Sequence, residues 1–191
     1  LSCTVVGKTN KLIPSGGAKI GDSVIMTKYA AMEGTSIFAS DKRDKLKGID
    51  SSIIEKAKNL GNSLSVIAEG RIGSELGANA MHDVTEGGIL GACWEIADCS
   101  GVGIEVYEDK IPVLEETKII CNKLGVDYLR LISSGSMLIV CSNGDEMLSA
   151  LEKAGIVASI IGKIVEEGKW FISNGEKTVL GEPTSDELYK V

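Results

Sequence analysis

Helical and extended apolar patterns follow one another in an order that narrows the choice of fold. The first part of the sequence alternates between helical spacing, as in residues 85–99, and short β-like runs, as in residues 103–107. From residue 158 onward extended runs dominate, and the last two are separated by Asn174-Gly175, a dipeptide favoured in two-residue hairpin turns. Because strands gather late in the chain, the order predicts an α+β fold in which a mixed or antiparallel sheet packs against helices.

Two polar side chains in the first half of the sequence are placed to cap helices. Asp50 precedes a pattern in which residues 53, 54, 57 and 60 share one helical face. Ser63 precedes a second pattern, with apolar residues at positions 64, 67, 68 and 72. We expect a helix to begin directly after each of these residues.

The N-terminal segment differs in composition from the rest. Residues 2–6 form a short β-branched run, and residues 8–19 contain Pro14 and Gly16-Gly17, which is typical of a connector. The chain starts inside the β-like run. We therefore expect residues 1–19 to be a remnant strand and linker from another domain, and residues 20–191 to form one domain around one core.

Charge and composition argue against several classes of partner. Twenty Lys and Arg residues against 27 Asp and Glu residues give a net charge of −7, which disfavours a nucleic-acid surface. The longest uncharged stretch, residues 131–144, is shorter than the ~20 apolar residues that cross a bilayer, so no membrane partner is expected. The five cysteines are odd in number and lie among apolar neighbours, which is typical of reduced thiols in a cytoplasmic protein.

The segment His82-Asp83-Val84-Thr85-Glu86-Gly87-Gly88 joins a short strand candidate to a helix with an apolar face. Asp83 and Glu86 have the spacing of a capping box, in which each side chain accepts from an N–H group of the first turn. Gly87 and Gly88 lack side chains that would shield the backbone, so a phosphate could approach the helix start.

The same segment also fits a purely structural role. Asp83 and Thr85 would then cap the helix, and the two glycines would allow it to pack closely against a strand. The acidic side chains of Asp83 and Glu86 disfavour direct phosphate contact unless Mg²⁺ intervenes.

A second candidate loop is Ser133-Ser134-Gly135-Ser136, directly before the apolar run of residues 137–141. Three hydroxyls and a glycine supply donors that can hold a phosphate or polarise a carbonyl. Serine and glycine clusters are also common in ordinary turns. Both interpretations are consistent with the sequence.

Few other side chains offer catalytic or metal-binding chemistry. His82 is the only histidine, so this chain by itself cannot form a metal site from several histidines. We expect it to be a hydrogen-bonded residue at the end of a strand. Cys93 and Cys99 lie six positions apart and therefore do not share a face of the predicted helix. We expect both to be packing residues. Glu33-Gly34-Thr35 fits the start of a short helix.

Five motifs follow one another along the chain: Gly21-Asp22 before an apolar strand, Glu33-Gly34-Thr35, the segment from Met81 to Gly88, Ser100-Gly101-Val102-Gly103-Ile104 and Ile111-Pro112. In this order they resemble the C-terminal half of AIR synthase-related proteins. The superfamily includes aminoimidazole ribonucleotide synthetase, HypE, selenophosphate synthetase and thiamine-monophosphate kinase. HypE-like hydrogenase expression/formation proteins look closest, because they carry a D-x-T-x-G-G turn followed by a helix that ends in S-G-V-G-I.

The resemblance implies a two-domain, ATP-dependent enzyme of ligase or dehydratase type, with an AIR synthase C-terminal domain-like fold in this chain. The N-terminal domain of such an enzyme binds most of the ATP and Mg²⁺, and ATP activates a substrate oxygen in the cleft between the domains. Carried over to this sequence, the substrate or phosphate side of the cleft comprises Asp83, Thr85, Gly87 and Gly88, with a second wall of Ser133, Ser134, Gly135 and Ser136. The implied partners are the protein's own N-terminal domain, a second copy in a homodimer, and a maturation partner protein.

The sequence departs from HypE at its end. HypE ends in P-R-I-C, whose cysteine carries a thiocarboxamide, whereas this sequence ends in Leu188-Tyr189-Lys190-Val191. Two alternatives follow, a purine enzyme of the aminoimidazole ribonucleotide synthetase type and a non-catalytic docking module for a maturation partner. Because no segment resembles the ATP-binding half, we expect the isolated domain to be inactive.

Overall fold

The computed structural model describes residues 4–9 and 11–191. These residues form six α-helices and one seven-stranded sheet. The elements in chain order are β1 (Ser23–Thr27), α1 (Met32–Asp41), α2 (Ser51–Asn59), α3 (Ile67–Glu75), β2 (Ala80–Asp83), α4 (Gly88–Ser100), β3 (Gly103–Tyr107), α5 (Glu115–Leu124), β4 (Met137–Cys141), α6 (Gly144–Lys153), β5 (Ala158–Val165), β6 (Lys169–Ser173) and β7 (Glu176–Val179). At 13 residues α4 is the longest helix, and none of the helices described has the length and apolar character to span a bilayer.

The strands are arranged in the order β2-β4-β1-β5-β3-β6-β7. Neighbouring strands are antiparallel except β3 and β6, which run parallel. The mixed sheet and the helices packed on it confirm the predicted α+β class. Where β1 pairs with β5, the register shifts between Val24 and Ile25, which marks a β-bulge.

Alternate side chains of the central strands enter two different cores. Val24 of β1 packs on one face with residues of α4 such as Ile96. Ile25 packs on the opposite face with Leu151 of α6. Burial on both faces explains why β1 and β4 have nearly continuous apolar sequences.

A third apolar cluster lies among α1, α2 and α5. Phe38 of α1, Ala57 of α2 and Ile120 of α5 are fully buried in it. Leu188 and Val191 of the C-terminal segment pack against the same cluster. The cluster therefore packs against both the segment leading into β4 and residues 188 and 191.

Several elements match the sequence predictions. The extended apolar runs at residues 23–27, 103–107, 137–141 and 158–165 predict four strands, and β1, β3, β4 and β5 have these bounds. Asp50 caps α2 as expected, because its Oδ1 accepts a hydrogen bond from the Ser52 N–H at 2.7 Å. Local apolar patterns and turn residues suffice for these elements.

The cap predicted at Ser63 is wrong. Ser63 ends a 3₁₀ turn, and α3 begins only at Ile67, after Val66, whose side chain makes no cap hydrogen bond. The Lys28 ammonium donates to the carbonyl oxygens of Ser63 and Ser65 at 3.2 and 2.6 Å. Lys28, which is distant in the sequence, thus binds the backbone of the non-helical segment before α3.

Hydrogen bonds join the second half of the N-terminal segment to the rest of the domain. Of the strand predicted over residues 2–6, residues 2 and 3 lie outside the described residues, and residues 4–6 belong to no strand. Farther along, the Pro14 carbonyl accepts from the Met81 N–H at 3.2 Å, and Ser100 Oγ accepts from the Ala18 N–H at 3.1 Å. The origin of residues 1–19 in another domain stays a prediction.

Candidate functional site

Three loops meet at one end of the sheet, and they include both segments predicted as ligand walls. Residues 28–34 follow β1, residues 83–88 lead from β2 into α4, and residues 132–136 precede β4. Because β4 is antiparallel to β1 and β2, its first residues lie beside the last residues of both strands. The Val84 N–H donates to the Ser136 carbonyl at 3.1 Å. We call this region the three-loop end.

Two serines of the second wall bind the loop after β1. Ser133 Oγ accepts from the Ala31 N–H at 2.7 Å, and Ser136 Oγ donates to the Tyr29 carbonyl at 2.6 Å. Both serines are fully buried. These contacts fit the turn interpretation for Ser133 and Ser136, whereas Ser134 is only half-buried.

Gly135 lies in the same turn, and its backbone conformation and close packing explain why a glycine occupies this position. Its φ is +102°, and a Cβ at this position would lie 3.1 Å from Leu64 Cα. A left-handed backbone packed this closely favours glycine. The loop is thus held from both sides, and its role in phosphate binding stays a prediction.

The capping box predicted at the start of α4 is wrong. Asp83 is the last residue of β2, the cap residue is Gly87, and no side chain of the local segment caps the helix. Gly87 and Gly88 both have positive φ, at +82° and +62°, so the helix begins later than the spacing of Asp83 and Glu86 requires. Glu86 instead accepts from the Tyr189 hydroxyl at 3.3 Å.

The N–H groups at the start of α4 bind acceptors from distant parts of the chain. The Gly87 N–H donates to Asp186 Oδ2 at 2.8 Å, and the Leu90 N–H donates to the Leu129 carbonyl at 3.1 Å. Asp186 is itself only 3% exposed. A carboxylate of the C-terminal segment therefore lies where an external anion would meet Gly87.

Gly88 is required by close packing. A Cβ at this position would lie 2.6 Å from the Leu129 carbonyl oxygen and 2.8 Å from that of Leu131. The start of α4 therefore packs against the segment before the serine loop, and not against a strand as the sequence suggested. The geometry favours the packing interpretation of Gly88, and its contact with a bound phosphate stays a prediction.

The side chains of the first wall that reach solvent are acidic or hydroxylic. Asp83 has an exposed side chain at 66%, Glu86 is exposed and Thr85 is half-buried. Together with Ser134 they offer polar groups that a ligand at the three-loop end could touch directly. Their chemistry suits hydrogen-bond donors better than a bare phosphate.

His82 connects β2 to α4. Its Nε2 lies 3.0 Å from Glu95 Oε2, and its Nδ1 lies 2.5 Å from the Asp83 carbonyl oxygen. Both ring nitrogens thus face protein oxygen atoms. This arrangement confirms a hydrogen-bonded histidine at the end of a strand.

Lys28 and Glu69 form a mostly buried ion pair that the sequence did not reveal. Lys28 Nζ lies 2.9 Å from Glu69 Oε1, and Glu69 is 2% exposed. Lys28 also has a φ of +54°, which is uncommon for a residue with a side chain. No periodicity or motif links these two positions, so only the fold could bring them together.

Glu33 holds a buried polar atom that the sequence did not reveal. It lies in the first turn of α1, and its Oε2 atom is buried without a hydrogen-bond partner among the described residues. The Glu33-Gly34-Thr35 motif did predict a helix start, and α1 begins one residue earlier. An acceptor without a partner cannot be recognised from a helix-start motif.

The two cysteines Cys93 and Cys121 are buried in the core and are not activated nucleophiles. Burial raises the pKa of Cys93, and burial raises the pKa of Cys121 to about 12, so both remain thiols near neutral pH. Cys93 is a packing residue as predicted, whereas the same prediction is wrong for Cys99, which is exposed near the end of α4. Within residues 4–9 and 11–191 no three His, Cys, Asp or Glu side chains are placed to hold a metal ion.

The C-terminal domain model of the AIR synthase related proteins matches residues 19–173. The chain belongs to this family. Carbamoyl dehydratase HypE of Cupriavidus necator is 28% identical over 165 residues, which cover 84% of this chain and 45% of that protein. The chain therefore spans about half the length of the curated relatives it matches.

Solved structures of the family share the fold. HypE of E. coli superposes with a TM-score of 0.76 at 26% identity, over 94% of this chain and 55% of that one. A hydrogenase maturation protein HypE in complex with ATP superposes with a TM-score of 0.70 at 19% identity, over 92% of this chain and 55% of the other. At this second identity the likeness concerns the fold alone. The comparisons confirm the HypE-like resemblance and the AIR synthase C-terminal fold.

Proposed function

We propose that this chain is the C-terminal domain of an ATP-dependent, HypE-like enzyme. In this proposal the three-loop end forms the substrate or phosphate side of a cleft that an N-terminal, nucleotide-binding domain completes. The main support is that the two segments carried over from the family lie side by side, joined by the 3.1 Å hydrogen bond from Val84 to Ser136. Coverage of about half of each relative's length is consistent with a second half in the whole protein.

The residues of this end would have distinct roles. Asp83 can accept hydrogen bonds from the ligand, because its side chain is 66% exposed and its Oδ1 lies 3.9 Å from His82 Nδ1, too far for a hydrogen bond. Thr85 and Ser134 can donate from their hydroxyls. Gly87, Gly88, Ser133, Gly135 and Ser136 would hold the loops at the spacing that the ligand needs.

ATP would supply the phosphoryl group that activates an oxygen of the substrate. As the family resemblance implies, Mg²⁺ would be held mostly by the N-terminal domain. Residues of the three-loop end would then orient the substrate, and the isolated domain would not turn over ATP.

The test uses the full-length protein that contains this domain. We expect Asp83→Asn and Thr85→Ala each to lower ATP turnover with an amide substrate by ~10–100-fold, because Asn is a weaker, uncharged acceptor and Ala lacks the hydroxyl. Asp44→Asn is the matched control, since Asp44 is 96% exposed on a loop outside the three-loop end. If ATP is neither bound nor hydrolysed, the enzyme proposal fails. If Asp83→Asn behaves like Asp44→Asn, the cleft lies elsewhere.

A docking module for a maturation partner is the second candidate. It is supported by the internal use of the Ser133 and Ser136 hydroxyls and of the Gly87 N–H group. In that case the exposed variants at Asp83 and Thr85 would weaken partner binding and leave ATP turnover unchanged. Calorimetry with the maturation partner separates the two functions.

Sedimentation of the full protein tests the predicted homodimer. A screen of substrates distinguishes the HypE-like reaction from that of an aminoimidazole ribonucleotide synthetase.

A further inference from the structure

A cavity of about 520 Å³ lies beside the C-terminal end of α6. It is lined by two residues of α6, three residues of the turn after this helix and the first residue of β5, which are Leu148, Glu152, Gly155, Ile156, Val157 and Ala158. Ligand cavities in proteins typically have volumes of ~300–1,000 Å³ and mostly apolar walls with a few polar groups. None of these six residues belongs to the three-loop end, so the cavity is separate from the proposed cleft.

The apolar walls of the cavity are the outer layer of a core. Leu148, Ile156 and Ala158 are partly buried and pack against the cluster that contains Leu151. Val157 is 46% exposed, and the cavity is open to solvent on one side. A ligand that covered these side chains would therefore remove apolar surface from water, which favours binding.

The turn after α6 fixes the backbone of the cavity. Gly155 has a φ of +74°, and the N–H groups of Gly155 and Ile156 donate to the carbonyls of Glu152 and Leu151 at 2.8 and 2.9 Å. These two hydrogen bonds form a Schellman motif, which ends the helix at this point. The wall is thus held by the helix from which it continues.

The charge at the cavity is negative. Of the described residues that line it, Glu152 carries the charge, and its exposed carboxylate forms no ion pair with the part of the chain that the structure describes. The C-terminal end of α6 adds the negative end of the helix dipole. Lys153, the basic residue of the last turn, does not line the cavity. A phosphate or carboxylate ligand is therefore disfavoured here, whereas a cation is attracted.

We propose that this cavity binds a small amphipathic cation, a primary alkylammonium. Its alkyl chain lies against Leu148, Ile156 and Val157, and its ammonium group donates to the carboxylate of Glu152. Burial of the alkyl chain supplies most of the affinity, and the carboxylate selects a cation over a neutral molecule of the same shape. The inference goes beyond the proposed function and does not depend on it, because different residues form the two sites.

The test is a titration of the ¹⁵N-labelled 191-residue chain with n-pentylammonium chloride at neutral pH and constant ionic strength, followed by amide chemical shifts. n-Pentanol is the matched probe, because it has the same alkyl chain without the charge. We expect saturable shifts of the amide signals of residues 152–158 with pentylammonium, and several-fold weaker binding of pentanol. The inference is overturned if these signals show no saturable shift, or if the two probes bind equally well.

Two substitutions separate the charge from the apolar wall. Glu152→Gln should weaken pentylammonium binding about two- to five-fold, as expected for an exposed ion pair, and leave pentanol binding unchanged. Val157→Ser should weaken the binding of both probes by a similar factor, because it shortens a wall that both alkyl chains contact. If Val157→Ser changes neither affinity, the alkyl chain does not bind in this cavity and the inference fails.

Glu115→Gln is the matched control for the charge. Glu115 is an exposed glutamate in the first turn of α5, outside the cavity, so its replacement removes the same charge from the protein. Pentylammonium binding should stay at the wild-type level in this variant. An equal loss of affinity in Glu115→Gln and Glu152→Gln would mean that the net charge of −7 attracts the cation, and the assigned site would be wrong.

Discussion

The β6–β7 hairpin turns at Asn174 and Gly175, which both have positive φ, and its strands pair between Trp170 and Val179. The three-loop end, in contrast, is joined by hydrogen bonds between residues 102 and 99 positions apart, such as Ser133 with Ala31 and Asp186 with Gly87. The hairpin thus depends on neighbours in the sequence, whereas the three-loop end depends on the finished fold. Substitutions in the two regions should therefore differ in how far their effects spread.

The same substitution at two glycines gives the largest expected difference. Gly88→Ala should destabilise the protein by more than ~3 kcal/mol or prevent folding, because its Cβ would lie 2.6 Å from a backbone carbonyl oxygen. Gly175→Ala should cost only ~1–2 kcal/mol, since φ is also positive there but no atom lies within 4 Å. Denaturant unfolding of both variants measures the difference. Equal losses would show that backbone strain, and not close packing, explains Gly88.

Removal of one distant acceptor should have an intermediate effect. Asp186→Ala leaves the buried Gly87 N–H without its partner, and we expect a loss of ~1–3 kcal/mol. Thr178→Ala is the counterpart in the hairpin, where the exposed hydroxyl donates to the Phe171 carbonyl, and it should cost less than ~0.5 kcal/mol. Urea unfolding curves provide the measurement. A loss at Asp186 no greater than that at Thr178 would contradict the long-range role of the carboxylate.

The charges that join the hairpin to the sheet should contribute a modest stability that depends on pH. The hydrogen bond from Lys177 of β7, with help from Lys163 and Tyr107, lowers the pKa of Glu105 from 4.5 to about 2. The resulting stability is present above pH 4.5 and is lost as the pH falls toward 2. We expect ~1 kcal/mol, because both lysines are about half exposed to solvent.

Glu105→Gln tests this charge contribution. Its unfolding free energy should be lower than that of the wild type at pH 7, and the difference should shrink as the pH falls below 4.5. A difference that stays constant with pH would mean that the lysines contribute little through charge.

The sequence alone predicted the strands, caps and turns that depend on local patterns of apolar and turn residues. Strands β1, β3, β4 and β5, the Asp50 cap and the Asn174-Gly175 turn all follow from spacing and turn chemistry within a few residues. The strand, turn and helix around Asp83 were also predicted, which placed Thr85 and the two glycines at a junction beside the sheet. Helix and strand existence therefore needed no knowledge of the tertiary fold.

The acceptors and charge partners of the site could not be predicted in the same way. The capping box failed because the Gly87 N–H is satisfied by Asp186, a residue far along the chain. The Ser63 cap failed where Lys28 takes the neighbouring carbonyls. The buried oxygen of Glu33 is defined by the absence of a neighbour, and a single sequence carries no pattern for such an absence.

The position of Asp186 has a practical consequence for where the domain can be cut. The family match ends at residue 173, yet Asp186 binds Gly87, Glu187 accepts from the Asp127 N–H at 3.2 Å, and Leu188 packs against the helical cluster. A protein trimmed to residues 19–173 would expose that cluster to water. Its aggregation or loss of structure would then say nothing about the domain itself, and an expression boundary drawn from family similarity alone would be set too short.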